Sequence, residues 1–99
     1  MIVEWSVPAL QDLDDIEDYI AKDNYNRAVN FVDELISLGE SLEDDTTCER
    51  GTQPQWSKNS NIRELYYQKY TIVYEILGYK VIIHEVYNQS KIQLHFGSR

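Results

Sequence analysis

The sequence predicts an α+β fold of order β-αα-βββ, an antiparallel sheet with a helical hairpin packed on one face. Three observations carry that reading. Residues 61–87, NIRELYYQKYTIVYEILGYKVIIHEVY, hold three β-branched and tyrosine-rich runs separated only by Gln68-Lys69 and Leu77-Gly78-Tyr79. Connections that short join antiparallel neighbours, because a parallel crossover needs a dozen residues or more. Upstream, two segments with apolar residues at helical spacing flank a break at Lys22-Asp23-Asn24, the pattern of an αα-hairpin. A chain of 99 residues is long enough for one core and too short for two, so 1–99 reads as a single domain.

Taken in order, Ile2 to Trp5 alternates apolar and polar residues and predicts a short strand. Ser6 and Pro8 then mark a helix start, since serine caps free amides and proline is tolerated in a first turn. Between Ala9 and Ala21 the residues Ala9, Leu13, Ile16 and Ile20 form an apolar stripe, and Asp12, Asp14, Asp15, Glu17 and Asp18 are expected on a solvated face. Asp23 or Asn24 can cap the second helix, whose stripe is Ala28, Phe31, Val32, Leu35, Leu38 and Leu42. Glu43 to Ser60 is rich in Asp, Thr, Gly, Pro and Ser, has no usable period and offers only Trp56 as an anchor. It predicts a long loop, a kind of segment that often carries function. In the middle strand of the meander Tyr70, Ile72, Tyr74 and Ile76 share one face and Thr71, Val73, Glu75 and Leu77 the other. Neither set is wholly polar, which predicts cover on both sides. The tail KIQLHFGSR can extend the sheet edge or hang free.

Composition narrows the function classes. The hydrophobic content of 42% and charged content of 26% are ordinary for a soluble globular protein. No apolar run approaches a membrane span, and MIVEWSVP lacks the basic start and long apolar block of a signal peptide. The single cysteine, Cys48, stands among Asp44, Asp45 and Glu49. It has no partner for an internal disulfide, and its neighbours disfavour a thiolate. A cytoplasmic protein is expected.

Net charge is −8, divided unevenly. Residues 1–50 carry fourteen Asp/Glu and three Lys/Arg, a net −11, and residues 51–99 carry three acids and six bases, a net +3. That division predicts an acidic first half and a mildly basic sheet. The molecule as a whole is repelled by polyphosphate, so direct nucleic-acid binding is not expected. His84 and His95 lie eleven apart without a metal-ligand partner, and neither GxSxG, GxGxxG, HExxH nor a P-loop occurs. No metal or cofactor is expected. Six of the eight tyrosines, Tyr66, Tyr67, Tyr70, Tyr74, Tyr79 and Tyr87, fall in or beside the meander. Strand propensity explains most of them, and aromatic residues near Arg and Lys can also make a stacking surface for bases or a protein-binding patch.

The order and spacing of certain residues resemble a known group of proteins. They are Val3, Trp5 and Ser6; Ala9, Leu10, Asp12, Leu13, Ile16, Tyr19, Ile20, Asp23 and Asn24; Ala28, Phe31 and Leu35; Ile62, Arg63, Glu64 and Leu65; Tyr70, Ile72, Val73 and Tyr74; and Ile83 and Val86. Together they resemble the RelE/ParE toxin superfamily over most of the chain apart from residues 43–60 and the tail. The resemblance implies a toxin of a type II toxin–antitoxin module, neutralised by a cognate antitoxin that wraps a segment over it. RelE-like members cut mRNA on the ribosome with basic residues on the sheet, and ParE-like members poison DNA gyrase. The nuclease positions would correspond to Ile62, Glu64 and Thr71, none of which holds a positive charge against a transferring phosphate. Asn88 stands where a histidine is usual. The ParE-like branch, binding a protein target such as gyrase without catalytic residues, is therefore favoured. An mRNA endoribonuclease and an attenuated toxin that only binds antitoxin are the alternatives, and the resemblance leaves room for a homodimer. Arg63, Lys69, Tyr87, Asn88 and Lys91 are the residues expected to bind target or antitoxin, with Arg63 open to a structural role in an ion pair with the helical hairpin.

Overall fold

The computed structural model describes residues 1–90. The tail, including the expected site residue Lys91, lies outside the described residues. The chain begins with strand β1 (Ile2–Trp5), followed by helices α1 (Val7–Ala21) and α2 (Tyr25–Glu40), a 3-10 turn (Ser41–Glu43) and a short helix α3 (Asp45–Arg50). Strands β2 (Ile62–Tyr67), β3 (Tyr70–Leu77) and β4 (Lys80–Asn88) complete it. Among the described residues no helix is long and apolar enough to cross a membrane.

The helix boundaries follow from local chemistry. Ser6 caps α1, its Oγ accepting from the Ala9 amide at 3.1 Å, and Asn24 caps α2, its Oδ1 accepting from the Arg27 amide at 3.0 Å. The expected loop from Glu43 to Ser60 needs correction. Its first part is helical, because Asp44 caps α3 by accepting from the Thr47 amide, and Cys48 supplies a buried anchor. Six residues are too few to show a helical period in the sequence.

The sheet order is β1-β4-β3-β2, antiparallel through the meander. Strand β1 is the exception, running parallel to β4 with Val3 opposite Val81 and Trp5 opposite Ile83. No tight turn links these two strands, so nothing local imposes an antiparallel pairing. The helices cover one face of the sheet. Leu13, Ile16, Phe31, Val32 and Leu35 pack there with Tyr70, Ile72, Tyr74, Val81, Ile83 and Val86. Gly39 of α2 lies so near the sheet that a Cβ there would overlap the Trp5 ring. The same ring donates from Nε1 to Glu40 Oε1 at 2.9 Å.

Strand β4 contains a bulge. Val73 faces Glu85 while Tyr74 faces Ile83, leaving His84 as the extra residue. Beyond it β1 has ended, and α1 serves the exposed edge. The Ser6 amide donates to the Ile83 carbonyl at 2.9 Å, Ser6 Oγ donates to the His84 carbonyl at 3.0 Å, and Asp12 Oδ2 accepts from the Val86 amide at 2.8 Å. Asp12 is thus not part of a solvated acidic face as its neighbours suggested. Burial pushes its pKa up most, the Val86 amide pulls it down, and Glu85 and Asp15 push it up further.

The opposite face of β3 is covered too, with Thr71 and Val73 fully buried. Segment 52–61 returns along the β2 edge through the Thr52–Glu64 bridge, and the Ile76 amide donates to the Asn61 carbonyl. On the helix side Tyr74 donates its hydroxyl to the Cys48 carbonyl at 2.7 Å, docking α3. Burial, first of all, pushes the Tyr74 pKa up to about 12.

Two expectations concern these contacts. Asp12→Ala strands the Val86 amide and should cost about 1–3 kcal/mol in chemical denaturation, whereas Asp14→Ala, on an exposed position, should be near neutral. Tyr74 has a folded pKa above the unfolded value of 10, so its contribution to stability is complete below pH 10 and is lost as pH rises towards 12. A denaturation series at alkaline pH should show that loss in the wild type and a shallower one in Tyr74→Phe.

Candidate protein-docking site

The expected site residues do not form one patch. Arg63 points to the helix side of β2, where its Nη1 donates to the Glu49 carbonyl and its Nε to the Ser60 carbonyl at 3.4 Å. It pins α3 and the following loop. Its partners are backbone carbonyls and not an acid of the hairpin. Tyr87 belongs to the other face, with its hydroxyl donating to Glu64 Oε2 at 3.0 Å. Only Lys69 and Asn88 come together.

They meet at the tip of the helical hairpin. The hairpin closes because the amides of Asp23 and Asn24 both donate to the Ile20 carbonyl and Asn24 caps α2. Across from it lies the two-residue turn Gln68-Lys69, with Gln68 at φ 53°. That turn is tied down by the Gln89 amide donating to the Lys69 carbonyl at 2.7 Å. Between hairpin and turn runs a groove of about 500 Å³ lined by Tyr19, Ile20, Arg27, Phe31, Gln68, Lys69, Tyr70 and Asn88. Its floor is aromatic: the Phe31 ring sits 5.4 Å from Tyr70 and 5.7 Å from Tyr67, both tilted. Tyr19 stands at the rim, 62% exposed. Two neighbouring clefts share Arg27 with the groove, and a smaller one of about 130 Å³ continues past Tyr19 and Asn88 to Asp12 and Asp15. Arg27 and Lys69 stand at one end, with Lys22, Asp23 and Glu34 in the adjoining clefts, and Asp12 and Asp15 stand at the other.

Sequence reasoning missed Tyr19 and Arg27. A signal existed, because Tyr19 is a large aromatic lying off the apolar stripe and next to the hairpin turn. The groove joins α1, α2, the β2–β3 turn and the end of β4, a juxtaposition that no local pattern encodes.

The mildly basic sheet expected from the charge division is also corrected. The register places Glu64, Glu75 and Glu85 on the face away from the helices. On that face Lys80 pairs with Glu4 at 3.7 Å and His84 Nε2 lies 2.9 Å from Glu75 Oε1. Arg63 is on the other side and Lys69 at the turn, where it shares the groove with Arg27. No group of three metal-ligating side chains occurs among the described residues. An aromatic floor with cations at one end is suited to an amphipathic protein segment.

Comparison with known proteins agrees with this architecture. No curated protein matches the chain. A solved structure described as a chromosomal ParDE TA system from P. aeruginosa is similar to it with a TM-score of 0.71 at 19% identity. The match covers 89% of this chain and 95% of that one, and it establishes a shared fold. The family model for the ParE toxin of the type II toxin–antitoxin system parDE matches residues 3–93. With nearly the whole sequence matched, the chain belongs to the ParE toxin family of type II toxin–antitoxin systems.

Proposed function

We propose that this ParE-family toxin acts by binding a protein target, DNA gyrase being the leading candidate, and is neutralised when a cognate antitoxin lays an amphipathic segment into the hairpin-tip groove. The observation that carries the reading is the division of surface chemistry. Arg27, Lys69 and aromatic rings meet at the groove, while the sheet face that would have to hold a phosphate has the buried residues Glu64, Thr71 and Glu85 there instead of cations. Carboxylates at that position oppose the negative charge that develops in phosphoryl transfer. Family membership supports the toxin–antitoxin context and the acidic face favours binding over cutting. Lys69 and Asn88 are the antitoxin-contacting residues on this reading, joined by Tyr19 and Arg27.

Expression without the antitoxin should arrest growth with DNA-damage induction and intact mRNA, and purified protein should inhibit gyrase supercoiling. Cleavage of mRNA during translation would replace the gyrase reading with the nuclease one, and unimpeded growth would leave an antitoxin-binding protein without toxicity. For the groove, Tyr19→Ala with Arg27→Glu should weaken antitoxin binding about 10–100-fold by calorimetry, as expected when an aromatic anchor and a charge are removed together. Unchanged affinity with retained folding would move the antitoxin site elsewhere.

A further inference from the structure

The face of the sheet away from the helices holds a carboxylate that no positive charge balances among the described residues. Glu64 is only 6% exposed. Its Oε1 accepts from Tyr66 Oη and its Oε2 from Tyr87 Oη, each at 3.0 Å. Both donors are neutral phenols whose pKa values are pushed up, first by burial and then by Glu64 itself. No ion pair reaches Glu64 among the described residues. Glu85 lies in register on the far side of Val73 and is also 6% exposed. A buried carboxylate held only by neutral donors gains strongly when a cation is brought to it.

A second, independent feature marks the same place. Thr71 sits in register between Tyr66 and Tyr87 and is fully buried, yet no donor reaches the lone pairs of its Oγ1. Its hydroxyl proton is directed at the Tyr87 oxygen, a contact that pulls the raised Tyr87 pKa down. Its lone pairs are thus an orphaned acceptor in a row of two phenols. Tyr66 forms the rim, 55% exposed, so its ring can turn outward and admit a guest. The guest must be cationic, must donate in more than one direction and must lie flat against tyrosine rings. A guanidinium, with five N–H donors in a planar fork, meets those demands better than an ammonium.

We propose that Glu64, Thr71, Tyr66 and Tyr87 form a receptor for one arginine side chain presented by a protein partner, on the face of the sheet opposite the helices. The receptor supplies a carboxylate to the guanidinium edge, a hydroxyl acceptor beside it and two rings for its faces. It deepens the protein-binding reading of this toxin by naming the partner's anchor, and it rests on that reading only for the partner's biological role.

The test is an amide NMR titration of the full chain with a blocked Gly-Arg-Gly peptide and its citrulline and lysine counterparts. The arginine peptide should produce saturable shifts at Glu64, Thr71 and Tyr87, and citrulline, nearly isosteric but uncharged, should bind at least about ten-fold more weakly. Glu64→Gln should lose at least about ten-fold in affinity with amide dispersion retained, and Thr71→Val should weaken binding several-fold. If Glu64→Gln fails to fold, Thr71→Val and the citrulline comparison on the wild type decide. Equal binding of citrulline, equal binding of lysine, unchanged affinity in a folded Glu64→Gln, or no saturable shift with arginine would each overturn the proposal. None of these readouts depends on growth arrest or gyrase, so failure here is distinguishable from failure of the toxin reading.

Discussion

The backbone of β4 must find hydrogen-bond partners along both edges, and much of the molecule is arranged to supply them. One edge is simple, because β3 runs antiparallel beside it for its full length. The other is composite. Strand β1 covers it as far as Ile83, the bulge at His84 re-aims the chain, and Ser6 and Asp12 take over. A buried amide or carbonyl left unpaired costs more than an ordinary hydrogen bond gains. The handover from strand to helix side chains therefore fixes where α1 crosses the sheet. Asp12 accepts a raised pKa in exchange, because its position between α1 and β4 removes it from water.

That placement propagates outward. Once α1 is set, α2 packs back along it, and Gly39 permits the Trp5 ring to lie against the second helix. The hairpin tip then hangs over the Gln68-Lys69 turn, and the space between them is the groove. The candidate site is in this sense a by-product of edge satisfaction at the far end of β4. On the reverse face the same strand positions Tyr87 and Glu85 beside Thr71 and Val73.

Much of the architecture was legible in the sequence. The short connections determined the meander, Ser6 announced the first helix cap and Asp23 or Asn24 the second, and the stripes from Ala9 and Ala28 identified the core faces. Family resemblance added the functional class. What could not be read was any feature created by contact between distant segments. Asp12 looks like one carboxylate in an acidic run until its pairing with Val86 is seen. Arg63 looks like a surface cation because nothing in the sequence brings α3 beneath it. Charge counted along the chain suggested a basic sheet, yet the register sorts the three acids onto one face and Arg63 onto the other. Strand parity alone shows that Glu64 and Tyr66 share a side, but not that Thr71 stands between two phenols.

The docking of α3 has a consequence for how the molecule can be observed. Cys48 is the sole thiol of the chain and is 2% exposed, with its own carbonyl held by Tyr74 and that of the next residue held by Arg63. Burial pushes the thiol pKa up, so a thiol reagent reaches it only when this short helix lifts away from the sheet. Its labelling rate is consequently a clock for one local opening event, separable from global unfolding by its dependence on denaturant. A protein with a single, naturally placed probe of this kind reports on its own segmental breathing without an introduced label site.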